Sequence, residues 1–126
     1  IKEISDIADF FDAPITEMIL REGVTSAEWA VFSDDDLIAD WDFFFDNTEV
    51  ICEGRASKGN DAGGMFVTAI NTNGDKLPFV AYYDSSGVCK INIGGTVYII
   101  KDSPGLPFKS TYWRGIERHG ITTPWD

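Results

Sequence analysis

The sequence is poor in the residues from which most active sites are built. It holds one histidine, His119, and two cysteines, Cys52 and Cys89, in 126 residues. Neither cysteine has another nearby, so there is no CxxC pair and no zinc-ribbon spacing. Both lie in strand-like apolar context, which predicts buried free thiols; a disulfide between them would need adjacent strands in matching register. No GxSxG occurs, and neither Gly63-Gly64 nor Gly94-Gly95 belongs to a GxGxxG or GxxxxGK[ST] phosphate loop. Apolar runs are only a few residues long, against the ~20 that a membrane helix needs. The opening residues lack the charged and apolar regions of a secretory signal. A first residue of Ile marks a chain that is processed, trimmed or cut from something longer. These absences predict a soluble, cytoplasmic protein with no membrane contact, no cofactor and no catalytic residue.

Basic residues are scarce too. Ten Lys and Arg stand against 21 Asp and Glu, for a net charge of −11. Residues 1–62 hold sixteen acids and four bases, a balance of −12, whereas residues 63–126 hold five and six, a balance of +1. Direct binding to nucleic acid is excluded on this account, because phosphate contacts need clustered Lys and Arg. The complement of such a field is a basic protein partner, and solubility alone is the plain alternative.

What the chain does hold is apolar and aromatic bulk. With 44% hydrophobic and 13% aromatic residues it has the material for a packed core. Its length fits a single domain over 1–126, since domains commonly run ~100–150 residues.

The most informative stretch is Ser33 to Asp46, SDDDLIADWDFFFD. Read as a helix, it places Leu37, Ile38, Trp41, Phe44 and Phe45 on one apolar stripe. Ser33 stands where an N-cap belongs, and Asp34, Asp35 and Asp36 fill the first turn, where the helix dipole stabilises carboxylates. The opposite face carries Asp35, Asp36, Asp40, Asp42 and Asp46, with Phe43 among them. Two readings of Phe43 are open. It packs against a neighbouring helix, or it is an exposed anchor ringed by acids that steer a basic partner.

The rest of the first half predicts more helices. Residues 4–12 read as a short helix capped by Ser5 that stops before Pro14. PITEMILRE reads as a second, with Pro14 in its first turn and Gly23 at its C-terminus. Thr25 to Glu28 has the form of a capping box opening a third, with Trp29, Val31 and Phe32. From Asn47 the pattern turns to strands, near 48–54, 65–71, 78–84, 88–93 and 96–101. Asn73-Gly74, Asp84-Ser85-Ser86-Gly87 and Gly94-Gly95 mark tight turns of an antiparallel meander. Pro78 should lie at a strand start or a sheet edge, since it offers no N–H. The link 54–64 is long and glycine-rich. After it all, Ser110 opens a last helix, TYWRGIERH, ended by Gly120, and Trp125 closes the tail. Trp113 reads as core, beside Tyr112 and Arg114.

Three chemical hypotheses weigh little. Asp34, Asp35 and Asp36 diverge around a helix axis, so they do not converge on a metal, and Asp36 with Asp40 alone makes a weak site. Nothing marks any of these acids as a buried acid–base pair. His119, near a helix C-terminus, is favoured there by the dipole.

The expected fold is therefore α+β, with helices in 4–46 packed on a five-stranded antiparallel meander at 48–101, then a C-terminal turn and short helix in 102–126. The expected function is a non-catalytic acidic binding protein engaging a basic partner through Asp35, Asp36, Asp40, Asp42, Phe43 and Asp46. Its sharpest form is a nucleic-acid mimic that inhibits a nucleic-acid-binding protein, a type found among viral counter-defence factors. A structural module of a virion or multiprotein complex is the alternative. A small enzyme using His119 with Cys52, Cys89 or a carboxylate is the third.

Overall fold

A computed structural model of the chain describes residues 1–56, 64–107 and 113–124. Its framework is an eight-stranded antiparallel sheet, not a five-stranded one. The strands are β1 (Lys2–Glu3), β2 (Ile15–Arg21), β3 (Glu28–Phe32), β4 (Glu49–Arg55), β5 (Met65–Asn71), β6 (Lys76–Tyr83), β7 (Cys89–Ile93) and β8 (Thr96–Asp102). They are ordered β1-β4-β8-β7-β6-β5-β2-β3. Two α-helices are described, α1 (Asp35–Asn47) and the short α2 (Arg114–His119).

Three of the four expected N-terminal helices are thus overturned. Residues 4–12 form two single 3₁₀ turns, Ile4–Asp6 and Asp9–Asp12. PITEMILRE supplies β2, where Met18 pairs with Ala69 of β5 on one side and Phe32 of β3 on the other. Its apolar residues fit a helical spacing, but β-branched Ile15, Thr16 and Ile19 suit a strand between two partners. Thr25 to Glu28 is not a capping box. The Glu22 carboxylate instead accepts the Val24 and Thr25 N–H groups at 3.0 and 2.7 Å and closes the β2–β3 turn, which also contains Gly23.

The meander of β5 to β8 is present, and β4 joins it by pairing with β8 rather than with β5. Pro78 lies inside β6, an interior strand, opposite Thr68. It is tolerated there because pairing with β7 begins only at Phe79. Buried Asn71 organises the β5–β6 turn. Its Oδ1 accepts the N–H groups of Asn73 and Asp75, both at 3.0 Å, and its Nδ2 donates to the Phe10 carbonyl.

Helix α1 links β3, at one end of the sheet, to β4, near the other. Those strands are six neighbours apart, roughly 29 Å at the usual strand spacing, and thirteen helical residues span about 20 Å of it. The helix therefore lies across one face, pressing Leu37, Ile38, Trp41, Phe44 and Phe45 into the sheet. Trp41 and Phe45 meet Phe79 of β6 at ring-centroid distances of 5.4 and 5.5 Å. Met18, Leu20, Val67, Ala69, Phe79 and Ile91 complete this core from the strands. Each of these side chains apart from Ala69 contributes roughly 1.5–3 kcal/mol on burial. The opposite face of the sheet carries no helix among the described residues. No helix of the described residues is long and apolar enough to cross a membrane.

The cysteines differ from expectation. Cys52 is exposed and Cys89 half-buried, both free, and β8 separates their strands. Burial pushes the Cys89 thiol up. Trp113, expected in the core, is 48% exposed. Ser110, Tyr112, Trp125 and most of the 54–64 link lie outside the described residues.

A helix face with one clasped flank and one open flank

The acidic stretch forms a helix because its apolar stripe runs unbroken through three turns. Asp34, not Ser33, is its N-cap, with extended backbone and its carbonyl accepting the Ile38 N–H at 2.9 Å. The Asp34 side chain does not cap. It is drawn to the C-terminal helix instead.

At about 100° per residue, the outward arc of α1 runs from Asp42, Asp35 and Asp46, through Ala39 and Phe43, to Asp36, Asn47 and Asp40. The two flanks of this arc differ in what faces them. Arg118 of α2 donates from Nη1 and Nη2 to the two Asp36 oxygens, at 2.8 Å each, and from Nη1 to Asp34 at 2.8 Å. His119 Nε2 lies 2.9 Å from Asp34 Oδ1. An ionised carboxylate only accepts, so Nε2 carries the hydrogen. Arg114 adds contacts of 3.6 Å to Asp36 and 3.7 Å to Asp40. The Arg118 guanidinium holds Asp36 well below the usual carboxylate range and also lowers Asp34, with His119 helping there.

Packing fixes α2 in place for this clasp. A Cβ on Gly115 would fall 2.6 Å from the Phe32 ring, so glycine alone lets the helix rest on β3. The His119 ring stacks over Phe32 at 6.0 Å, and Gly120, with φ of 62°, ends the helix.

The other flank is different. Asp35, Asp42 and Asp46 have no cationic partner among the described residues. Partial burial, with the charge of Asp46 one turn away, raises the Asp42 carboxyl above its ordinary value. Between the flanks Phe43 is 58% exposed, so the reading that packed it against a neighbouring helix is set aside. Its carbonyl accepts the Asn47 Nδ2–H at 2.9 Å, one helical turn on.

Of the six residues singled out from sequence, Asp36 and Asp40 are thus met by this chain's own arginines. Asp35, Asp42 and Asp46 remain together on the open flank, with Phe43 at its border. Sequence reasoning did not find the clasp, whose only signal was three basic residues at i, i+4 and i+5 of a short helix. His119 does meet a carboxylate, but at the surface and already shared with Arg118; neither cysteine belongs to this cluster. Among the described residues no group of three or more His, Cys, Asp or Glu could hold a metal ion. No family model, curated protein or solved structure matches this chain.

Proposed function

We propose that this chain is a non-catalytic, intracellular binding protein that presents the open flank of α1 to a basic protein partner. The observation that carries the reading is Phe43, more than half exposed on the outward arc at the border of the open flank, whose Asp35, Asp42 and Asp46 are not neutralised among the described residues. An exposed ring supplies the apolar anchor, and the unpaired acids supply steering and register. A cation from a partner relieves the repulsion between Asp42 and Asp46.

The sharpest form remains mimicry of nucleic acid, and charge density limits its extent. Asp35 to Asp46 spans eleven residue steps, about 16 Å of helix, and carries three unpaired carboxylates. Duplex DNA of that length carries roughly nine charges, one per ~1.7 Å. The flank therefore replaces a few phosphates and anchors on Phe43, and does not imitate a whole groove. The test is retention of host-cell proteins on the native chain and on the Asp42→Lys/Asp46→Lys/Phe43→Ala variant. A nucleic-acid-binding protein held only by the native chain, released by salt and displaced by DNA, supports the proposal. Equal retention on both chains refutes it.

A second reading, a module of a larger assembly, draws on the sheet edge. β1 covers only Glu49 and Val50 of β4, and Ile51 beyond it is 39% exposed. Open strand edges pair with other chains. Concentration-dependent sedimentation distinguishes this reading.

A further inference from the structure

The helix-free face of the sheet contains a cleft of about 310 Å³ with a cation at one end. Strand register builds it. Arg21 pairs with Phe66, Phe66 with Val80, and Val80 with Asn92, forming one row across β2, β5, β6 and β7. Ile19, Thr68 and Pro78 form the next row. Side chains alternate along a strand, and Met65, Val67 and Ala69 belong to the helix-side core, so both rows face away from α1. The recess opens where bulk runs out. β7 ends at Ile93, and Gly94 and Gly95 turn the chain without side chains over the flat ring of Pro78.

Arg21 is held in place here, and not by an acid. Its Nε donates to Thr68 Oγ1 at 3.0 Å and its Nη1 to the Ser26 carbonyl at 3.1 Å. Glu28 opposes it in the β2–β3 ladder yet makes no ion pair with it, and Glu17 is a further turn of the pleat away on β2. Both Nη2 hydrogens lack an acceptor among the described residues. In a chain of net charge −11, a guanidinium fixed beside an apolar cleft, with its Nη2 donors unpaired among the described residues, is suited to an anion.

From this we infer that the cleft binds a small organic monoanion, a carboxylate on an apolar body, with the carboxylate at Arg21 and the body against Phe66, Pro78 and Val80. One guanidinium matches one carboxylate, and the surrounding negative field disfavours a dianion such as phosphate. The volume is at the small end of ligand sites, which run ~300–1,000 Å³. This site is on the sheet face opposite α1, so it stands or falls independently of the acidic flank.

The experiment is titration of the ¹⁵N-labelled chain with decanoate, below its micelle concentration, and with decanol as the uncharged match. Amide shifts confined to Phe66, Val80, Asn92 and Gly95 are expected, with decanoate preferred over decanol by about tenfold or more, as befits a charge-assisted bond of ~1.5–3 kcal/mol. Arg21→Met should abolish that preference while decanol binding stays. Val80→Trp, which fills the cleft from a half-buried position, should remove both. Unshifted spectra elsewhere show that each variant is folded. Equal affinity for the two ligands, an undiminished preference in Arg21→Met, or shifts that centre on the other cleft, beside Ile51, Cys52 and Tyr98, would overturn the inference.

Discussion

Arg118 holds Asp36 with two parallel hydrogen bonds of 2.8 Å, across eighty-two residues of sequence. That pair ties the last described helix to the first turn of α1 and decides which acids remain available to anything else.

The clasp should respond to acid and salt. Asp34 and Asp36 are depressed in the folded chain by Arg118, with His119 helping at Asp34. Depressed carboxyls contribute stability that is fully present above their unfolded value of about 3.9 and lost as pH falls through the folded one. Arg118→Met should lower the thermal midpoint at neutral pH. The gap from the native chain should shrink below about pH 4 and also in high salt. Unfolding curves across pH and salt measure this. A gap that persists at low pH assigns the effect to lost packing of the arginine stem.

Asp42 carries the opposite sign. Burial and Asp46 raise it, so the fold loses stability as pH rises through the interval between its unfolded and folded values, and that loss persists at neutral pH. Asp42→Asn should therefore raise unfolding stability at pH 7 slightly, by no more than about 0.5 kcal/mol given its partial exposure. Near pH 3 it should do nothing. The same change should weaken capture of a basic partner, separating stability from binding.

Gly115 is a steric gate for α2. A side chain there meets Phe32 at 2.6 Å, so Gly115→Leu must push the short helix off β3. The His119 ring signals in proton NMR should lose the ring-current shift from Phe32, and Asp36 should titrate closer to an ordinary carboxylate. Overpacking of this kind costs ~1–3 kcal/mol where the core cannot yield. Here the exposed helix yields first, and the sheet amides should keep their shifts.

Asn71 is the buried polar pin of the β5–β6 turn. Asn71→Ala leaves the N–H groups of Asn73 and Asp75 and the Phe10 carbonyl without their partner. A loss of roughly 1–3 kcal/mol in chemical denaturation is expected. Asn71→Asp keeps the acceptor for the two turn bonds but sets a buried carboxylate oxygen against the Phe10 carbonyl, so it should not restore the native stability.

The acidic helix was legible because its stripe from Leu37 to Phe45 repeats long enough for only one period to fit. ITEMILR was not. Ile15, Met18 and Ile19 satisfy helical spacing, and what makes the segment a strand is Ala69 on one side and Phe32 on the other, partners that no local pattern contains. The same holds for EWAVF, where Phe32 and Ala30 face Met18 and Leu20. The five strands after Asn47 carried turn residues that mark their ends, so they were placed closely, but the pairing of β4 with β8 was not visible. At the candidate site, the helical projection favours packing Phe43 against a neighbouring helix, whereas the ring is exposed. The pairing of Asp36 and Asp40 with distant arginines depends on Gly115 resting on Phe32, a contact of tertiary origin.

The strand order imposes a schedule on synthesis. β4 leaves the ribosome at the heels of α1, yet the neighbour that flanks most of it, β8, ends at Asp102. Until then the nascent chain can form β2–β3, β5–β6 and β6–β7, but lacks the strand that joins β4 to them. Pairings that close long loops form slowly, so β4 waits for β8, and the sheet beneath Trp41, Phe44 and Phe45 closes only when Asp102 is in place.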